Sequence, residues 1–204
     1  MKRSLLFLPL VLIASALALS ACGGGGSSTS GDEKGAIVAA IEKSATKDDP
    51  SKCTELQTQA FNEQEKAAPG KEATEICEEE AEQQESPAKS VDVSNVSIDG
   101  ETATAEAAIG GSALDGQTIE LELVEEDGAW KLNQFLQFTE FNAKRLAKSF
   151  ETEALASEEI PKGLATCISA GIGKLDQKEA EAVAFESDVE VIESIAERCE
   201  APAA

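Results

Sequence analysis

Between residues 91 and 132 apolar and polar side chains alternate, and no other feature narrows the fold of this chain so far. Val91 and Val93 alternate with polar neighbours, then Val96 and Ile98 do so in the opposite phase. That change of phase predicts a β-bulge near Ser94-Asn95. Asp99-Gly100 is a hairpin turn signal, since its residue types tolerate the positive φ that such turns need. Ala103, Ala105, Ala107 and Ile109 then alternate with Thr102, Thr104 and Glu106. Gly110-Gly111 and Asp115-Gly116 bound a loop. Ile119, Leu121 and Leu123 alternate with Glu120 and Glu122, and Glu125-Glu126-Asp127-Gly128 turns the chain into Ala129-Trp130-Lys131-Leu132. A period of two puts every second side chain on one face. The expected unit is a four-stranded antiparallel meander with one apolar face.

Helical spacing precedes and follows it. Ile37, Ala40, Ile41 and Ala45 predict a helix over 33–46. Asp48-Asp49-Pro50 reads as the next helix start, with Asp49 as N-cap and Pro50 in the first turn. Cys53, Leu56, Ala60 and Phe61 form its apolar stripe; Ala68-Pro69-Gly70 breaks it; Ala73, Ile76, Cys77 and Ala81 form a third stripe. After the strands, Ala143, Leu146, Ala147, Phe150 and Ala154 predict a helix over 140–157. Pro161 opens another, with Leu164, Cys167, Ile168, Gly171 and Ile172 on one face, and Val189, Ile192, Ile195, Ala196 and Cys199 make the last stripe. Asp176 with Glu179 and Ser187 with Glu190 resemble capping boxes. Gly163, Gly171 and Gly173 each cost about 1 kcal/mol against Ala in a helix, a cost that close helix packing would explain. Helices followed by an antiparallel sheet make the fold class α+β, with helices covering the apolar face.

The first residues read as an address. Lys2 and Arg3 precede Leu5–Leu19, an almost wholly apolar run of 15 residues. That is long for a signal-peptide core and short of the ~20 residues that span a bilayer. Leu19-Ser20-Ala21-Cys22 follows and resembles the lipobox of bacterial lipoproteins. The resemblance implies cleavage after residue 21, acylation of Cys22 and a place on the extracytoplasmic face of a cell membrane, held there by the lipid anchor. Two or more acyl chains hold where one would exchange. An ordinary secretory signal ending near a cysteine is the alternative. Residues 22–35 read as a Gly/Ser-rich tether, the stretch 23–31 averaging roughly 15–18 Å end to end.

With Cys22 acylated, Cys53, Cys77, Cys167 and Cys199 remain. An even number in an exported chain suggests disulfides. Of the three connectivities, Cys53–Cys77 and Cys167–Cys199 are favoured, because each pair lies within one helical segment. Each bond would contribute about 3.5 kcal/mol in the chain-entropy model. Cys53 lies far before the Pro69 break and Cys77 close after it, so the helices must cross at an angle or the break must begin earlier.

Composition excludes several function classes. The chain has no His, which removes Ser-His-Asp and Cys-His catalysis and the usual zinc-protease sites. A net charge of −22 argues against nucleic acid, which is bound by neutralising its phosphates. No CxxC pair suggests a metal, and no cofactor is implied. Glu78, Glu79, Glu80, Glu82 and Glu85 read as a solvated helix face rather than a calcium site. Glu120 and Glu122 belong to the wet face of the sheet, with a pocket rim as the alternative. Trp130 is expected in the core. Lys144, Arg145 and Lys148 form a small basic patch expected to pair with neighbouring glutamates.

Helix–Cys–helix–Cys, then Val96-Ser97-Ile98-Asp99-Gly100-Glu101-Thr102-Ala103-Thr104-Ala105, then Leu123-Val124-Glu125-Glu126-Asp127-Gly128-Ala129-Trp130-Lys131-Leu132, is similar to small bacterial lipoproteins of the nuclear transport factor 2-like (SnoaL-like, cystatin-like) superfamily. The similarity covers about residues 36–137. It implies a curved sheet wrapped around helices, enclosing a cone-shaped pocket. The enzymes of that superfamily commonly use Asp and His there, and this chain has no His. The organisation that follows is a signal peptide at 1–21, a tether at 22–35, a helix-plus-sheet domain at 36–138 and a small disulfide-stapled helical segment at 139–204. The expected function is a non-enzymatic, lipid-anchored binding or envelope accessory module for a protein or small apolar ligand. The alternatives are a SnoaL-like enzyme with an Asp or Glu base, or a structural, dimerising domain.

Overall fold

The computed structural model describes residues 30–83, 87–156, 160–186 and 188–200. The leader, Cys22, Glu85 and Ser187 lie outside the described residues. Four helices come first: α1 (Ser30–Thr46), α2 (Lys52–Glu55), α3 (Gln59–Lys66) and α4 (Lys71–Gln83). Strands β1 (Ser90–Asp99), β2 (Thr102–Gly110), β3 (Thr118–Glu126) and β4 (Ala129–Glu140) form one antiparallel sheet in the order β1-β2-β3-β4. Helices α5 (Ala143–Ala156), α6 (Lys162–Ile172), α7 (Gln177–Phe185) and α8 (Val189–Glu200) complete the described chain. The α+β class and the meander expected from the alternation are present.

Helix α1 starts at Ser30, so the last part of the stretch assigned to the tether is helical. Asp32 and Glu33 occupy its first turn, where the helix dipole favours carboxylates. Ile37, Ala40 and Ile41 are buried one turn on, and that burial carries the helix back through Gly31 and Gly35. The expected helix through Cys53 and Phe61 is two helices. Ser51, not Asp49, occupies the N-cap of α2. Asp49 Oδ1 instead accepts from Ser51 N–H at 3.0 Å, and this bond with the Ser51 hydroxyl holds its carboxyl below the usual range. The break falls at Leu56–Thr58, where Thr58 caps α3 by accepting from Phe61 N–H at 3.1 Å. An early break is one of the two ways the sequence left for bringing Cys53 to Cys77. Those residues are bonded, with Cα atoms 6.0 Å apart, and each is 1% exposed. Ala60 turns out exposed, because α3 runs on its own phase after the break.

Asn95 has φ +53°, and the β1–β2 register shifts between Ser94 and Ser97, so the bulge lies where the phase change put it. Asp127 and Gly128 both have positive φ, as a tight hairpin turn requires. Strand β4 runs to Glu140, well past the alternating segment. Its register explains why alternation fails there. Leu123 pairs with Leu132 but Glu122 with Gln134; Leu121 pairs with Phe135 but Glu120 with Gln137; Ile119 pairs with Phe138 but Thr118 with Glu140. Asn133, Leu136 and Thr139 are therefore extra residues, one per bulge.

Those bulges set a period of three on the outer edge of β4. Leu132 N–H donates to Leu56 C=O, and Thr58 N–H to Leu132 C=O, both at 2.9 Å. Phe135 N–H donates to Gln64 Oε1 at 2.7 Å, and Gln64 Nε2 returns a bond to Phe135 C=O at 3.0 Å. Phe138 N–H donates to Glu181 Oε1 at 2.8 Å, and Gln177 Nε2 donates to Phe138 C=O at 2.6 Å. Backbone groups with no fifth strand thus find partners in α3, α7 and the segment before α3.

The largest hydrophobic cluster joins Ile37, Ile41 and Phe61 of the first helices to Ala105, Leu121 and Leu132 of the sheet. Trp130 belongs to it at 7% exposure, a core position as expected. Ala180 and Phe185 of α7 belong to it too. A second cluster holds Ala147, Ile168, Ile172 and Ile195, and Leu146 and Leu175 touch both clusters. Cys167 is bonded to Cys199, but it is exposed, and Ala165 takes the buried position on α6 instead. Asp176 and Glu179 form the capping box of α7. Of the three glycines, Gly171 has the packing reason: a Cβ there would come within 2.4 Å of Ile195 Cγ2. Gly163 faces open space, and Gly173 ends α6 as its C-cap.

Candidate functional site

Small side chains leave a cavity of about 590 Å³ between the apolar face of the sheet and the helices. Six alanines line it: Ala45, Ala81, Ala88, Ala107, Ala113 and Ala156. Each stops at Cβ where a leucine would reach across, so the layers meet without filling the space between them. Ile119, Leu121, Leu132 and Phe135 form the sheet wall. Ile41 and Phe61 contribute from α1 and α3, and the Cys77 sulfur from α4. The volume falls within the ~300–1,000 Å³ of small-molecule sites, which are apolar with a few placed polar groups.

Five charged residues line the same cavity: Lys52, Glu65, Lys66, Glu80 and Glu153. Lys66 Nζ donates to Glu80 Oε2 and lies 3.6 Å from Glu65 Oε2. Burial alone would lower the Lys66 ammonium; the two carboxylates outweigh it, and its pKa is raised. Glu80, its side chain still 40% exposed, keeps to the solvated helix face expected from the sequence and also borders the cavity. Glu153, on α5, has no hydrogen-bond or ion-pair partner among the described residues. Burial pushes its carboxyl above the ordinary glutamate range, because desolvation disfavours the charged form.

Two uncharged polar residues sit deeper, each 4% exposed: Ser44 and Gln57. Gln57 Nε2 donates to Ser44 Oγ at 2.9 Å. Gln57 Oε1 faces Cys77 Sγ at 3.3 Å. Sulfur in a disulfide carries no proton, so this contact is not a hydrogen bond, and the amide oxygen has no donor among the described residues.

Other residues singled out in the sequence lie elsewhere. Glu120 accepts from Gln137 Nε2 at 2.7 Å and Glu122 from Asn133 Nδ2 at 2.6 Å. Both are on the face of the sheet opposite the core, and neither lines the cavity. Among the described residues Lys144, Arg145 and Lys148 form no ion pair with a glutamate. Arg145 instead lies over Gly116, where a Cβ would come within 2.2 Å of Arg145 Cδ. No three Cys, Asp or Glu residues among those described are grouped to hold a metal ion.

The sequence reading did not single out Gln57, Lys66 or Glu153 as site residues. Glu153 had a signal, being three residues beyond Phe150 on the flank of the α5 stripe. Gln57 had none, because its position looked like helix interior. No protein-family model, curated protein or solved structure matches the chain.

Proposed function

We propose that this protein is a lipid-anchored extracytoplasmic module that binds a small apolar molecule in the cavity beneath its sheet. The observation that carries the reading is the 590 Å³ space itself, walled by apolar side chains of both layers. A well-packed domain leaves few voids larger than a water molecule, so a space this size is a binding site in waiting. The bulges at Asn95, Asn133, Leu136 and Thr139 support a curved sheet, since each bends its strand. Curvature and helices packed into the concave side are what the nuclear transport factor 2-like resemblance implies. In methyl-labelled full chain in lipid nanodiscs, 1-adamantanemethanol is expected to shift the methyl resonances of Ile41, Ile119 and Leu121. Those of Ile168 and Ile195, in the second cluster, should stay in place. Uniform shifts, or none, would refute the site.

The anchor rests on Leu19-Ser20-Ala21-Cys22 behind its apolar run. No helix among the described residues is long and apolar enough to cross a membrane. Cys22→Ser is expected to abolish incorporation of labelled fatty acid and to move the protein out of the membrane fraction or leave its leader uncleaved. A processed, labelled, membrane-bound variant would contradict the anchor. A second reading, a SnoaL-like enzyme, is favoured by Glu153, a half-buried carboxyl beside an apolar cavity with the raised pKa of a general base. Turnover that disappears in Glu153→Gln, with ligand binding intact, would establish it.

A further inference from the structure

The cavity holds acceptors that the fold does not fill. Gln57 is 4% exposed, and among the described residues its Oε1 meets only a protonless disulfide sulfur. Buried polar groups are nearly always hydrogen-bonded, and an unfilled acceptor in an apolar site is destabilising. Glu153 borders the same space, again with no partner among the described residues. Of the two cations on the cavity wall, Lys66 is already held by Glu80 and Glu65. Together Lys52 and Lys66 face three carboxylates at the cavity, Glu65, Glu80 and Glu153, so the lining has one more acidic group than basic. An arriving carboxylate would meet like charge and spare acceptors; an arriving donor would meet an acceptor.

We propose that the ligand is a lipophilic amine, its apolar body against Ile119, Leu121 and Phe135 and its nitrogen donating to Glu153, with Gln57 Oε1 as a further acceptor. This rests on the cavity being a binding site. The ammonium suits Glu153 because a carboxylate removed from water regains stability from an opposite charge beside it. The chain's net charge of −22 also concentrates cations at its surface. An alcohol of the same shape donates but brings no charge, so it binds less tightly. A carboxylate of the same shape binds least.

The test is calorimetric titration of full chain in nanodiscs, with empty nanodiscs subtracted, using 1-adamantanemethylamine, 1-adamantanemethanol and 1-adamantanecarboxylate. The amine is expected to bind at least tenfold tighter than the alcohol, and the carboxylate most weakly. Glu153→Gln should bring the amine to within about twofold of the alcohol while leaving the melting temperature unchanged. Lys52→Gln should leave the amine's affinity unchanged or raised. If all three ligands fail to bind, the cavity reading falls and the ligand class falls with it. If the carboxylate binds as tightly as the amine, or Glu153→Gln leaves the amine's advantage intact, only the ligand class is overturned.

Discussion

Converting Cys53 and Cys77 together to alanine is expected to lower the unfolding midpoint of the full chain by about 10 °C. The bond closes a loop of sequence separation 24, which the chain-entropy model values at about 3.5 kcal/mol. For a chain of this length 1 kcal/mol shifts the midpoint by about 2–4 °C. The structure gives the bond a local task as well. Helix α2 spans only Lys52–Glu55, and a single turn does not hold its shape in water. It is fixed by the disulfide to α4 and by Asn62 Nδ2 donating to Cys53 C=O at 2.7 Å. Without the bond, the α4 wall of the cavity, with Glu80 and Ala81, is free to separate from α2. The double variant should therefore also weaken adamantyl ligands. An unaltered midpoint by calorimetry, with the wild type oxidised, would show that the bond constrains nothing.

Truncating Phe138 to alanine is expected to cost about 3–5 kcal/mol, the range for a buried phenylalanine, and to leave a single unfolding transition. Phe138 is 1% exposed. Its ring centroid lies 4.7 Å from that of Phe185 on α7 and 5.3 Å from that of Phe141. Its backbone holds α7 through Glu181 and Gln177. The side chain thus joins the sheet to the helices that follow, and its loss should loosen both together. Two calorimetric transitions, only one of them moved by the substitution, would instead show that residues 139–204 fold as an independent unit.

The sheet was legible where residue chemistry acts locally. Asp99-Gly100 and Asp127-Gly128 mark turns by the φ values they tolerate, and Ala103 to Ile109 and Ile119 to Leu123 mark strands by alternation. Beyond Leu132 the same logic failed. Three bulges in nine residues replace the period of two, and Phe135 and Phe138 then stand three apart, a spacing no strand pattern announces. The break at Leu56–Thr58 was hidden in a similar way. Its cause is non-local, since the backbone of Leu56 and Thr58 bonds to Leu132, far along the chain. The cysteine pairing was legible because each pair lay within one helical segment, on its own side of the strands. The cavity was not legible, because it consists of side chains that are too short, and short side chains give no positive signal. Gln57 and Glu153 matter only through what surrounds that space.

Strand β4 has a further consequence. A sheet margin with open amides invites a neighbour's strand, which is how folded proteins come to aggregate. Here the margin is occupied at Leu132, Phe135 and Phe138 by the chain's own Leu56 and Thr58, Gln64, Glu181 and Gln177. The opposite margin, β1, carries Asp92, Asp99 and the kink at Asn95, which discourage docking by charge and by shape. On the membrane proposed above, where anchored copies would crowd into two dimensions and meet side by side, these stoppered margins would keep each copy separate, and substitutions at Gln64 or Gln177 would expose the sheet to polymerisation before they unfolded it.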